Sequence, residues 1–217
     1  MTTAYLTVDD APSETLPEKL DVLDDYGVTA LFFCEGRRLA DHADNARQAV
    51  EAGHLLGDHA YDHNHASDIA VDEFADEVDR TEAAIDEVYE AAGVERPATV
   101  FRFPFGDKGG DRAAKFQTVL AEHGFRPPNA DLIDYDFWAD QAGDRDWFWT
   151  VDVEDYNVDT KEGLAENVAE ADRLDDDPND ILLFHDGGNS PEQFEHYLKL
   201  LEERGVTFGD PLELVDD

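Results

Sequence analysis

The stretch Gly57-Asp58-His59-Ala60-Tyr61-Asp62-His63 sets two imidazoles four residues apart. Neutral imidazole is the commonest side-chain ligand for a divalent metal. A helical turn there would put both rings on one face. A site needs a third donor, and Leu6-Thr7-Val8-Asp9-Asp10 reads as a strand that ends on two carboxylates. One carboxylate and two imidazoles leave coordination positions open to water and substrate. Two histidines at this spacing are more often solvated or hydrogen-bonded residues, so the rest of the chain decides. Asp9, Asp10, His59, His63, Arg102, Asp155 and His185 all follow apolar runs. Any one of them could simply cap the next helix. Seven on one rim need another explanation.

The elements that must position these residues alternate in type. Ala4–Val8 reads as a strand. Ser13 then offers an N-cap to a helix carrying Leu16, Leu20, Leu23 and Tyr26, which Gly27 stops. Thr29–Cys34 is a continuous apolar run, as in a strand buried on both faces. Further strands are expected at Leu55–Gly57, Thr99–Phe103, Phe148–Val151, Ile181–Phe184 and Val206–Phe208. Helices are expected at Asn45–Ala52, Val71–Ala92, Arg112–Glu122, Leu164–Leu174 and Pro191–Arg204. The segment Phe125–Asp146 is irregular, acidic and aromatic. Trp138 and Trp147, in or beside it, either offer an apolar platform to a sugar ring or pack under the loop. About seven alternations of strand and helix argue a parallel α/β fold, as a barrel or an open sheet. In both, function gathers where strands end and helices begin.

Charge narrows the partners. The 54 acidic residues against 16 basic ones give a formal net charge of −38, which repels nucleic acid and anionic membrane. The acidic residues recur throughout the chain rather than forming one tail, a pattern that resembles proteins adapted to high salt. Hydrophobic residues make up 41% and are spread along the chain, so a full core can form. Cys34 is the sole cysteine, which excludes an intramolecular disulfide and suits a core position in Leu31-Phe32-Phe33-Cys34. No stretch approaches the ~18 apolar residues of a membrane span. No signal peptide is visible, and the expected location is cytoplasmic.

Five motifs in order resemble the polysaccharide deacetylases of carbohydrate esterase family 4. Thr7-Val8-Asp9-Asp10 is similar to Thr-Phe-Asp-Asp, and His59 to His63 to His-Ser/Thr-x-x-His. Arg102-Phe103-Pro104-Phe105-Gly106 is similar to Arg-x-Pro-Tyr/Phe-Gly. Asp152 to Tyr156 is similar to Asp-x-x-Asp-Trp, and Leu183-Phe184-His185 to Leu-x-His.

The resemblance implies a distorted (β/α) barrel, one catalytic domain over residues 1–217, and metal-dependent release of acetate from an N-acetylated amino sugar. It assigns Asp10, His59 and His63 to a divalent metal, zinc first, with cobalt or nickel next. Asp9 becomes the general base, with Arg102 orienting it. The Phe105 backbone N–H joins in stabilising the oxyanion. His185 protonates the leaving amine and Asp155 holds its other ring nitrogen. Leu183 and Tyr156 wall the acetyl pocket. Three residues depart from the pattern: Ala11 stands where glycine is usual, Ala60 replaces the Ser/Thr, and Tyr156 replaces tryptophan.

Rival chemistries fit less well. A non-haem iron triad has no use for a second aspartate or for the Asp155–His185 pair. A zincin needs glutamate beside its first histidine, and Ala60 stands there. A carbohydrate-binding protein on the same scaffold would be expected to lack Asp9 or His185. Hydrolysis of an N-formyl sugar or a cyclic amide is the alternative within enzymes.

Overall fold

The computed structural model describes residues 3–133, 135, 143–175 and 179–215. Six parallel strands form its sheet: β1 (Thr3–Ala11), β2 (Ala30–Cys34), β3 (Leu55–Asp58), β4 (Val151–Asp152), β5 (Asp180–His185) and β6 (Thr207–Phe208). The helices are α1 (Leu16–Tyr26), α2 (Gly36–Glu51), α3 (Val71–Ala92), α4 (Ala113–Glu122), α5 (Lys161–Glu170) and α6 (Pro191–Glu203). The sheet order is β3-β2-β1-β5-β4, with β6 paired to the start of β1.

A seventh stave is expected at Thr99–Phe103, and there the structure departs from a regular strand. Phe101 alone makes parallel bridges, to Asp58 at the end of β3 and to Asp146. Asp146 lies just ahead of β4, so the run of parallel neighbours curls until its two ends share one segment. The result is a distorted (β/α) barrel. Pro97 and Pro104 flank the 99–103 stretch, and neither can donate to a ladder.

Alternation along β1 and β2 explains which side chains enter the barrel. Ala4, Leu6 and Val8 of β1, with Ala30, Phe32 and Cys34 of β2, pack outward under α1, α2, α5 and α6. Tyr5, Leu31, Phe33, Leu55, Trp147 and Ile181 fill the interior. By the same period of two, Thr7 and Asp9 point inward with Tyr5. A third cluster stacks Phe74, Phe101, Phe103, Phe116 and Phe125 beneath α3 and α4.

Several boundaries shift from expectation. α2 begins at Gly36 rather than Asn45, with non-helical φ/ψ at His42 inside it. The polar run after Gly36 hides a helix whose buried residues are Leu39, Ala46, Ala49 and Val50. α5 starts at Lys161, capped by the Thr160 side chain on Gly163 N, and ends before Leu174. β4 is confined to Val151–Asp152. Ser13 does not cap α1. Thr15 is the N-cap residue, and the Ser13 hydroxyl donates to Asp186 Oδ1 at 2.8 Å instead. No helix among the described residues is long and apolar enough to cross a membrane.

Candidate active site

Asp9 and Asp10 end β1 and face the same centre. Asp9 follows the strand alternation inward. Asp10 has φ of +58°, and the β1–β2 register shifts between Val8 and Ala11. This bulge turns the second carboxylate back toward the first. Ala11 keeps a φ outside the left-handed region, so its methyl carries no backbone penalty.

His59 and His63 sit on a loop after β3, not on a helix. Ala60 and His63 both adopt left-handed backbone, with φ of +61° and +57°. Such conformations persist only where neighbours over-determine them. Here the neighbours are acidic. Asp58 Oδ1 accepts from Ala60 N at 2.7 Å, and thus a carboxylate ties the loop at the residue that lacks a hydroxyl. Burial pushes the Asp58 carboxyl well above its ordinary value. Glu77 of α3, buried at 3% exposure, accepts from Tyr61 N, Asp62 N and Asn64 Nδ2. Sequence reading missed Glu77, which looks like one more acidic residue on a long helix.

The donor atoms of Asp10, His59 and His63 all lie within 4.8 Å of one another. His59 Nδ1 is 2.8 Å from the Arg102 carbonyl. A carbonyl only accepts, so Nδ1 carries the proton and Nε2 presents a lone pair. Asp10 Oδ1 is 3.1 Å from His63 Nε2 and 3.7 Å from His59 Nε2. That oxygen is buried and has no hydrogen-bond partner. A buried, unsatisfied carboxylate oxygen facing two imidazole nitrogens is the donor set a divalent cation completes. Burial lowers the His59 pKa, which keeps the ring a neutral ligand. Burial would raise the Asp10 carboxyl, but the facing His63 nitrogen and the charges of His59, His63 and His185 hold it below its ordinary value.

Asp9 is engaged differently. Its Oδ1 accepts from Arg102 Nη1 at 2.8 Å, and its Oδ2 lies 3.6 Å from His59 Nε2. Arg102 is itself fully buried inside the barrel. The same Nη1 donates to Thr7 Oγ1 at 2.7 Å, while Nε and Nη2 donate to the carbonyls of Trp147 and Phe148. Burial pulls its pKa down and Asp9 opposes that pull. The guanidinium is held from two segments, β1 at Nη1 and the 147–148 carbonyls at Nε and Nη2, so Asp9 has little freedom to turn.

On the neighbouring strand, in register with Asp9, His185 ends β5. Its Nδ1 is 2.9 Å from Asp155 Oδ1, and its backbone N donates to Asp155 Oδ2 at 3.0 Å. Asn189 Nδ2 donates to that second oxygen at 2.6 Å. Burial works against protonation of His185, but the Asp155 hydrogen bond and charge, aided by Asp9 and Asp10, push its pKa up to about 9. Sequence reading missed Asn189, which sits in the Gly-rich turn after the strand.

Of the expected pocket residues, Phe105 is 58% exposed and in left-handed backbone at φ +58°. Its ring stacks on His65 at 3.9 Å and meets the edge of His63 at 4.5 Å. Tyr156 is 57% exposed and lies edge-on to His185 at 5.1 Å. Leu183 is buried in β5, paired with Thr7 and Asp152. Trp147 is no sugar platform: it is fully buried, with Nε1 donating to the Arg126 carbonyl. Trp138 lies outside the described residues.

A buried ion pair underlies both sides of the site. Lys19 Nζ of α1 is 2.5 Å from Asp186 Oδ1 and 2.6 Å from the Asp186 carbonyl. Asp186 follows His185 and also takes the Ser13 backbone N–H and hydroxyl. The loop after Asp10 is thereby stitched to the loop after His185.

The chain is similar to several known proteins. The family model described as polysaccharide deacetylase matches residues 2–128. A chitooligosaccharide deacetylase of Azorhizobium caulinodans is 24% identical over 84% of this chain and 73% of its own. A peptidoglycan-N-acetylglucosamine deacetylase of Bacillus cereus is 27% identical over 97% of this chain and 86% of its own. Among solved structures, a family 4 carbohydrate esterase from Streptomyces lividans in complex with acetate superposes with a TM-score of 0.72. It is 22% identical, and the match covers 100% of this chain and 97% of that one. A pseudoenzyme of the same family from Bacillus anthracis superposes with a TM-score of 0.73 at 23% identity, over 99% of this chain and 66% of that one.

Proposed function

The chain belongs to the polysaccharide deacetylase family, and from that premise we propose that it hydrolyses the N-acetyl group of an amino sugar to acetate and a free amine. The fold alone does not decide activity, because it also houses a pseudoenzyme. The observation that carries the reading is a convergence. Asp10, His59 and His63, a set that could hold a metal ion, share one strand edge with Asp9, fixed by Arg102, and with its register partner His185, fixed by Asp155.

We take residues 1–217 as one catalytic domain. Asp10, His59 and His63 would hold the cation, and two nitrogens with one oxygen suit zinc, with cobalt and nickel next. When bound, the cation supplies Lewis acidity, polarising the amide carbonyl and making a nearby water more acidic. Asp9 takes the proton from the attacking water. Arg102 keeps the Asp9 carboxylate aimed at that proton. The Phe105 backbone N–H donates to the oxyanion that develops on the carbonyl oxygen. His185, protonated on both nitrogens, gives its Nε2 proton to the departing amine as the C–N bond breaks. Asp155 fixes the ring through Nδ1, so that Nε2 faces the leaving group. Tyr156 and Leu183 flank the acetyl methyl.

The test is acetate release from a panel of N-acetylated sugars at high salt, after chelation and again after zinc is restored. Acetate that disappears with the chelator and returns with zinc supports the reading. Turnover of N-formyl sugars or cyclic amides, with no acetate from any acetylated sugar, would replace it with the alternative amidase chemistry.

A further inference from the structure

Glu35, at the end of β2, holds two adjacent arginines with one carboxylate. Its side chain is 1% exposed. Oε2 accepts from Arg37 Nε at 2.6 Å, and Oε1 accepts from Arg38 Nε. Both guanidiniums are therefore anchored through Nε alone. Neither carries a hydrogen bond from its Nη atoms among the described residues, and their side chains are 51% and 32% exposed. The two cations share one buried anion, and neither has a second carboxylate within ion-pair distance among the described residues, in a chain with a net charge of −38. Arg47, further along the same helix, is compensated instead by both Asp44 and Glu51.

Arg38 lies beside the candidate reaction centre. A Cβ built on Gly187 would come within 2.9 Å of Arg38 Nη2, 3.4 Å of its Cζ and 3.3 Å of Asp10 Cβ. The Arg38 guanidinium thus lies against the turn that follows His185 and Asp186, next to the Asp10 side chain. Gly187 leaves the room it occupies. A flat, Nε-anchored guanidinium with free Nη donors is shaped for a two-oxygen acceptor.

We propose that Arg38, with Arg37 beside it, forms a subsite for an oxyanion carried by the sugar, a carboxylate or a phosphate. This rests on the deacetylase reading and names its substrate class: an acidic N-acetylated amino sugar rather than a neutral one. Arg38 donates both Nη groups to the anion and Arg37 adds charge at the rim. The anion is thereby fixed on one flank of the centre, and the acetamido group is directed toward Asp9 and His185.

Binding, read by titration calorimetry, tests the subsite without requiring turnover. The probes are N-acetylmuramic acid for a carboxylate, N-acetylglucosamine phosphate for a phosphate, and triacetylchitotriose as the neutral sugar. The full chain should bind one or both acidic sugars on the order of tenfold more tightly than the neutral one, the size of a charge-assisted bidentate contact. Arg38→Gln should erase that ratio, and Arg38→Lys should keep part of it. Arg47→Gln, the same charge change on the same helix, should leave it intact. Equal affinity for acidic and neutral sugars in the parent chain, or an unchanged ratio in Arg38→Gln, overturns the subsite. Acidic sugars that bind with this pattern while no sugar releases acetate would leave the subsite standing and remove the deacetylase reading.

Discussion

Asp9 and Asp10 are neighbours in sequence and reach one centre from the same strand end, because Asp10 takes a φ of +58° where Asp9 remains in the strand. Their partners differ. Arg102 holds Asp9, whereas an oxygen of Asp10 faces His59 and His63 with no hydrogen bond. On the proposed assignment, Asp10→Asn removes an anionic ligand. Its metal affinity should fall by an order of magnitude or more, at least as much as the 10–100-fold typical of losing a ligand's supporting partner. Asp9→Asn should retain metal and lose about 10²–10⁴ in rate. Elemental analysis and acetate release on both variants check this. Excess zinc should partly rescue only Asp10→Asn, and metal loss in Asp9→Asn instead would exchange the two roles.

His185 predicts an alkaline limb. With its pKa raised to about 9, the proton it would donate is present at lower pH and is lost as pH rises through about 9, so kcat should fall there. A bound cation repels that proton and moves the limb down in every variant. The comparison that counts is therefore Asp155→Asn against the parent. Removing the carboxylate should shift the limb several tenths of a unit or more toward the ordinary histidine value. A pH–rate profile that does not move would separate Asp155 from proton transfer. The linked stability has the same sign: it is fully present below the unfolded value of 6.5 and is lost as pH rises through about 9.

Lys19 and Asp186 are both inaccessible to solvent, at 1% and 0% exposure. Lys19→Met leaves a buried carboxylate without its counter-charge and should cost about 3–5 kcal/mol. Adding Asp186→Asn removes that charge, so the double variant should be less destabilised than the sum of the singles. Urea unfolding of all four proteins closes the cycle, and strict additivity would show that the two groups stabilise the fold independently.

Carboxylate repulsion should make the fold salt-dependent. At roughly 0.1 M salt the Debye length is about 10 Å, long enough for charges on one face to feel one another. Tm should rise clearly between that concentration and molar KCl. A flat Tm across the range would mean that the −38 net charge is not an adaptation to salt.

The sequence made legible those features whose cause is local. The apolar run ending at Cys34, the strand running into His185 and the helix Val71–Ala92 follow from periodicity and end where expected. The five motifs fell together because each follows a strand at one end of a parallel barrel. What stayed hidden depends on distant partners. Glu77, Asp58 and Lys19 look like surface charges in a chain full of them, and only the loops packed on them make them buried ties. The seventh stave reduces to Phe101 because it makes a single bridge on each side, to Asp58 and to Asp146, in a stretch that Pro97 and Pro104 close off. The helix spacing suggested for His59 and His63 gives way to a loop because Ala60 and His63 are both left-handed there.

β1 carries both aspartates on its last residues and is hydrogen-bonded to β2, β5 and β6. The weakly paired seam of the barrel, between Phe101 and β4, is elsewhere. Breathing at that seam leaves β1 paired but loosens Arg102, which sits beside Phe101 and holds Asp9, so the carboxylate can lose its aim while the strand that carries it is still in place. Warming then dulls the chain before it unravels it, and the clock of inactivation runs ahead of the clock of unfolding.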